Sequence, residues 1–270
     1  MPQGVTMAAT WMTNPYQIKR FFERFMKDTD ICITLINMHL ERVKTGIYGL
    51  DELIEGGLPK DSITLVSGNS GTGKTTLSLQ YLYNGIKHFG EPGIYIGLSE
   101  NIDRILLAAQ RFNMDLEQFS EDNSLIFSDI PALEISEITK IVKSVDPKYK
   151  RIVIDPISAL TFKYEVDVTM RQKIRELTEL IRDKNITALI TTELIENSNS
   201  ISRFGEEFLC DNVILLYYFR EGARRFRGIE IRKARLTNHS EMVHLYKINS
   251  EAQPGISCGI QVFPNEKVFN

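Results

Sequence analysis

Lys74, Thr75 and Thr76 close the run GNSGTGKTT (Gly68–Thr76), and their combined chemistry is that of phosphate binding. Gly68, Gly73, Lys74 and Thr75 satisfy the spacing G-x-x-x-x-G-K-[ST]. Asn69, Ser70, Gly71 and Thr72 between them are small, so the backbone can wrap an anion with several N–H groups pointing inward. The helix that follows turns its positive end toward the same anion. In such a loop the lysine reaches the β- and γ-phosphates, and the hydroxyl of Thr75 ligates Mg²⁺. A glycine turn that happens to carry a lysine is the competing reading. An apolar strand directly before the loop and a helical pattern directly after it favour the nucleotide site.

Two carboxylates complete a possible hydrolytic centre. RIVIDPIS places Asp155 at the end of an apolar run, where an aspartate beside the phosphate loop can hold the Mg²⁺ shell, commonly through water. A strand-ending aspartate that merely begins a turn before Pro156 is the competing reading, and the phosphate loop favours the metal role. GIYIGLSENID stops at Glu100, which can orient or deprotonate an attacking water. The plainer alternative for SEN is a helix start, with Ser99 capping and Glu100 favouring the first-turn dipole.

These residues need a scaffold that brings strand ends together. SITLVSG (Ser62–Gly68), GIYIGLS (Gly93–Ser99), SLIFSDI (Ser124–Ile130), RIVIDPI (Arg151–Ile157) and ITALITTE (Ile186–Glu193) are continuous apolar runs, the pattern of a parallel sheet covered on both faces. Helical stretches at Thr75–Phe89, Asn101–Phe112, Ile135–Val145 and Thr169–Lys184 alternate with them. In the last, Met170, Ile174, Leu177 and Ile181 share one face. This alternation predicts a doubly wound α/β domain. After Asp211 the runs NVILLYYF, FRGIEIRKAR, MVHLYKI and GIQVF leave no room for helices, so antiparallel hairpins should extend one edge of the sheet.

Residues 1–40 stand apart. YQIKRFFERFMKD puts Ile18, Phe21, Phe22, Phe25 and Met26 on one helical stripe beside Lys19, Arg20, Arg24 and Lys27. Such a basic amphipathic helix docks on protein more often than it lies on a membrane. Alternatively, translation starts at Met38, directly before HLERVKTG, and residues 1–37 are not native. The net charge of −3 over 270 residues gives no global case for nucleic acid or membrane. Cys32, Cys210 and Cys258 have neither metal nor disulfide spacing, and His39, His88, His239 and His244 lack metal spacing. With no transmembrane run and no signal-peptide pattern, a cytoplasmic protein is expected.

The stretch TGIYGLDELIEGGLPKDSITLVSGNSGTGKTTLSLQYL resembles the opening of KaiC-like ATPases, in the RecA/RadA branch of P-loop proteins. TGIYGLDELI and GGLP are its most specific parts, and the resemblance runs from about Thr45 to Phe263, through SRFGEEFLCDNVILLYYF and IRKARLTNH. It implies a RecA-type P-loop α/β domain over residues 41–270, with a mostly parallel central sheet flanked by helices and a C-terminal antiparallel β extension. It also implies ATP as the nucleotide, a choice that no base-reading motif in the sequence specifies, with slow hydrolysis. It implies self-assembly into a ring, hexamer-like, or a filament, and a regulatory role through an unknown protein partner.

The resemblance assigns further residues. KaiC-like proteins often carry two adjacent glutamates after the second core strand. This chain has Ser99 and Glu100, so the catalytic role rests on Glu100 alone. The K-x-R pattern of the family lies across the subunit boundary near the neighbour's γ-phosphate. Here it is Lys233 and Arg235, two apart on a strand and facing one side, followed by His239; a solvated basic strand is the competing reading. Thr191 and Thr192 occupy the place where RecA-type proteins carry a polar γ-phosphate sensor, although threonine at a strand end is often just a good strand former. ENSNSISR (Glu196–Arg203) resembles the loop near which some KaiC domains are autophosphorylated. Arg203 and FGEEF, however, look like the non-phosphorylated type of domain, so no phosphosite is expected. A competing use of this region is single-stranded DNA binding. Arg220, Arg224, Arg225, Arg227, Arg232, Lys233 and Arg235 put seven cations within sixteen residues. Glu221 and Glu230 interrupt that cluster, and stacking positions are limited to Phe219 and Phe226, so DNA is not favoured.

Overall fold

Two short strands, β1 (Arg42–Val43) and β2 (Leu58–Pro59), pair antiparallel around helix α1 (Leu50–Leu53). The computed structural model describes residues 40–130, 133–194, 201–251 and 258–268. The amphipathic segment 16–28, the candidate start at Met38 and residues 196–200 of the ENSNSISR loop lie outside the described residues.

The α/β body follows. Strand β3 (Ile63–Gly68) leads into α2 (Lys74–Phe89), and β4 (Gly93–Gly97) into α3 (Ile102–Gln110) and α4 (Glu117–Glu121). Strand β5 (Leu125–Asp129) precedes α5 (Ile135–Ser144), and β6 (Arg151–Asp155) precedes a 3₁₀ turn (Ile157–Phe162) and α6 (Val168–Asp183). Strand β7 (Thr187–Glu193), helix α7 (Glu206–Leu209) and strands β8 (Asn212–Glu221), β9 (Arg224–Ala234), β10 (Val243–Asn249) and β11 (Gly259–Lys267) complete the chain.

One nine-stranded sheet has the order β11-β10-β9-β8-β3-β7-β6-β4-β5. The strands from β8 through β3, β7, β6 and β4 to β5 run parallel, and β8, β9, β10 and β11 form an antiparallel extension. The chain is thus an α/β protein with a mostly parallel sheet and a C-terminal antiparallel edge. The apolar runs are explained by two cores, one on each face. Ile63, Leu65, Ile94, Ile96, Ile152 and Ile154 pack toward α5 and α6, whose buried stripe includes Met170, Ile174, Leu177 and Ile181. Val66, Tyr95, Val153 and Leu189 face the opposite way, toward α2 and α3. Successive residues of one strand therefore serve different cores, as the period of two requires.

Registers place the carboxyl ends of the central strands side by side, with Gly68 opposite Glu193 and Gly97 opposite Asp155. Most ends differ from the sequence reading by one or two residues for local reasons, while β11 runs four residues past GIQVF, to Lys267. Pro156 has no N–H to continue the β6 ladder. After Gly97 the chain leaves β4, although Leu98 N still donates to Asp155 O at 2.9 Å. The helices α1, α4 and α7 are four or five residues long, too short to show a helical period in sequence.

Candidate nucleotide-binding site

The loop between β3 and α2 is shaped by glycine. Gly71 and Gly73 have φ of +79° and +90°, a region that residues with a Cβ avoid. A Cβ on Gly73 would also sit 2.6 Å from Ile248 Cδ1. From the antiparallel extension, Tyr246 donates its hydroxyl to Thr72 O at 2.6 Å, and Arg227 donates to Gly71 O at 3.2 Å. Neither contact was foreseen from the sequence, because both residues lie more than 150 positions away along the chain.

Lys74 opens α2 and folds back, donating to Gly68 O at 2.7 Å and Asn69 O at 3.2 Å. Burial pushes its ammonium below the ordinary lysine value, and the carboxylates of Asp155 and Glu193 oppose that shift. Thr72 turns inward, its hydroxyl donating to Asn69 O at 2.7 Å, and Thr76 is half-buried.

Asp155 is buried where β6 ends. Its Oδ2 accepts the Tyr95 hydroxyl at 2.8 Å, and its Oδ1 accepts the hydroxyl of Thr191. Burial, then the Asp155 carboxylate, raises the Tyr95 phenol well above its ordinary value, so it remains a donor.

A cleft of about 270 Å³ at these strand ends is lined by Ser70, Gly71, Gly73, Lys74 and Thr75 of the loop. Across from them stand Ser99, Glu100, Asp155, Pro156 and Glu193. The structure therefore brings Glu100 and Asp155 to the same cleft as Lys74 and Thr75. Glu193 joins them through its β7 register with Gly68, and a strand-ending carboxylate was the only signal for it in sequence. The donors fit Mg²⁺, since hydroxyl and carboxylate oxygens are its preferred hard ligands. Each Asp155 oxygen accepts one of the two hydroxyls, and a carboxylate has capacity for further bonds. A larger depression of about 550 Å³ along α6, lined in part by Arg171, Glu176 and Leu209, has no phosphate loop.

Other assigned residues lie elsewhere. Lys233 donates to Cys210 O at 2.6 Å and Glu207 O at 3.1 Å, while Arg235 reaches Asp211 Oδ1 at 3.4 Å. Both turn toward the segment around α7, and neither lines the cleft of its own chain. Burial and the neighbouring Arg235 lower the Lys233 ammonium. Thr191 and Thr192, the sensor candidates, stand before Glu193 at the end of β7 and do not themselves line the cleft. Both are fully buried, with Thr191 bonded to Asp155 and Thr192 donating to Glu206 at 3.2 Å.

The basic stretch is dispersed over many partners. Arg225 and Arg227 lie over the Tyr218 ring, Arg232 pairs with Glu230 at 2.8 Å, and Phe219 packs between Tyr217 and Phe226. Cys210 and Cys258 are free and buried. Among the described residues no cluster of histidine, cysteine or acidic side chains suits a metal ion on its own, and no helix is long and apolar enough to cross a membrane.

A family model described as "ATPase: KaiC" matches residues 43–266. The circadian clock oscillator protein KaiC of Parasynechococcus marenigrum is 35% identical over 240 residues, covering 84% of this chain and 46% of that protein. KaiC of Prochlorococcus marinus subsp. pastoris is 37% identical over 227 residues, covering 79% of this chain and 44% of its own. The chain thus spans less than half the length of these clock proteins. The crystal structure of a KaiC-like protein from Pyrococcus horikoshii OT3 superposes with a TM-score of 0.72 at 32% identity, covering 83% of this chain and 100% of that one. With its phosphate loop at the carboxyl ends of a RecA-type sheet, the chain belongs to the KaiC family of P-loop ATPases.

Proposed function

We propose that the protein is a Mg²⁺-dependent regulatory ATPase that hydrolyses ATP slowly, with each nucleotide site shared between neighbouring subunits of a ring or filament. The observation that supports this is the separation of its cationic groups. Lys74 faces Glu100, Asp155 and Glu193 in one cleft, whereas Lys233 and Arg235 lie at the α7 side, outside it.

In this reading Lys74 leaves the carbonyls of Gly68 and Asn69 for the phosphates of ATP. Thr75 and, through water, Asp155 would hold the Mg²⁺, which supplies charge neutralisation at the phosphates. Glu100, exposed at the cleft wall, orients the attacking water and takes its proton. Lys233 and Arg235 of a neighbouring copy offset the charge developing on the transferred phosphoryl group. Residues 1–40 act as a separate appendage to a 41–270 ATPase domain, and the setting is cytoplasmic. Its nucleotide state sets contacts with itself and with a protein partner.

Steady-state phosphate release at several protein concentrations tests this. Turnover per subunit should rise with concentration, and Glu100→Gln should lose on the order of a hundredfold or more while still binding ATP. Lys74→Ala should bind ATP poorly. Tight ATP binding by a wild-type protein as inactive as Lys74→Ala would instead mark a nucleotide-gated scaffold, for which Ser99 in place of a first glutamate is the specific observation. Stimulation by single-stranded DNA with a steep salt dependence would mark a DNA-binding accessory protein.

A further inference from the structure

The end of β7 has two faces, and they look at different things. Thr191 and Glu193 share the face that meets Asp155 and the cleft. Thr192, between them, points the other way and donates its hydroxyl to Glu206 Oε1 at 3.2 Å. Glu206 is a carboxylate only 1% exposed, and its other oxygen accepts Phe204 N at 2.8 Å. Its own N–H donates to Ser202 Oγ at 2.9 Å, and its carbonyl accepts Cys210 N at 3.0 Å. Glu206 therefore ties the whole α7 turn, from Ser202 to Cys210, to the strand that ends in the cleft.

That turn is the seat of Lys233. The carbonyls of Glu207 and Cys210 hold its ammonium, Arg182 caps Leu209 O at 2.9 Å, and Asp211 takes both Arg182 and Arg235. The carbonyls leaving a helix carry partial negative charge, so their position dictates where a cation sits. A displacement of the α7 turn would carry Lys233 with it. A buried ionisable group is costly to keep, and nothing in the cleft touches Glu206 itself.

We propose that Glu206 is a positioning residue that couples the nucleotide cleft of one chain, through Thr192, to the placement of Lys233. It would act on the neighbour's site, not on the cleft of its own chain. The inference rests on the shared-site reading above.

Mixing two inactive chains tests it. Receptor chains carry Lys233→Ala and keep an intact cleft, while donor chains carry Glu100→Gln, which keeps ATP binding in the donor's own cleft, and keep an intact Lys233. Mixing them should restore ATP turnover. Donors that also carry Glu206→Leu should fall short by on the order of tenfold to a hundredfold, the scale expected when a group is misplaced by about 1 Å. Donors with Glu206→Gln should restore turnover, because the amide oxygen can accept Phe204 N while the amide nitrogen donates to the Thr192 hydroxyl. A merely structural carboxylate would lower the melting temperature of Glu206→Leu without a selective loss as donor. As receptor, a Lys233→Ala chain also carrying Glu206→Leu should perform like Lys233→Ala alone. If Glu206→Leu does not fold, Thr192→Val donors carry the test, and a deficit in rescue is again expected. Full rescue by Glu206→Leu or by Thr192→Val donors overturns the coupling. No rescue by the plain Glu100→Gln donors overturns the shared site, and the coupling with it.

Discussion

Replacing Asp155 separates its structural work from its chemical work. Its two oxygens accept the buried hydroxyls of Tyr95, at 2.8 Å, and Thr191. Asp155→Ala leaves both donors without that acceptor, and each stranded buried group costs about 1–3 kcal/mol. Asp155→Asn keeps one acceptor oxygen for one hydroxyl, and its amide can donate to the other once that hydroxyl rotates. It also removes a buried charge, so its net cost should be no more than about 1 kcal/mol. The two variants should therefore differ by several kcal/mol in urea unfolding. They should nonetheless share one functional defect, because both lose the carboxylate that supports the charge on Lys74 and that would hold the Mg²⁺ shell. Phosphate release titrated with Mg²⁺ should show a raised half-saturation and a turnover reduced on the order of a hundredfold in both. The Lys74 ammonium, already lowered by burial, should fall further, so the alkaline loss of ATP binding should begin at lower pH in the variants. Equal stability of the two variants, or wild-type Mg²⁺ dependence in Asp155→Asn, would refute the reasoning.

Two further outcomes follow from buried contacts. In α2, a Cβ on Gly85 would lie 2.4 Å from Arg151 Nε and 2.5 Å from its Cδ. Arg151 cannot yield easily, being fully buried and bonded to Glu91, Tyr81 O and Lys44 O. Gly85→Ala should therefore destabilise by about 1–3 kcal/mol despite the better helix propensity of alanine, and a raised melting temperature would contradict this. Burial raises the Glu206 carboxyl above its ordinary value. The folded state then holds that proton more tightly than the unfolded state. Glu206 should thus cost stability as pH rises from about 4.3, its unfolded value, through the raised folded value. Glu206→Gln should flatten this contribution, so its unfolding free energy relative to wild type should improve from pH 4 to pH 7, as read by denaturant titrations across that range.

Much of the scaffold was legible because burial on both faces leaves a continuous apolar run, which β3, β4, β6 and β7 all show. The edge strand β5, with exposed positions at Ile126 and Asp129, has less reason to be apolar throughout but still reads as a strand. Segments of four or five residues were not legible. The helix α7 is an example: FGEEFLC gives no sign that Glu206 is interior and Glu207 is not. A charged residue is read as solvated unless its partners are known, and the partners of Glu206 include Thr192 on another element.

The chain alone determined that a phosphate loop follows the first core strand, that Asp155 ends another, and that the chain after Asp211 continues as strands. Those properties reside in local spacing and in the period of apolar residues, and neither depends on distant neighbours. Tertiary structure decided which strand ends lie side by side. It brought Glu100, Asp155 and Glu193 to the wall opposite Lys74, placed Tyr246 and Arg227 under the loop, and turned Thr191 and Thr192 inward. The reason is strand order. The ladder β3-β7-β6-β4 interleaves segments more than a hundred residues apart, and no local pattern encodes which strand will be next to which.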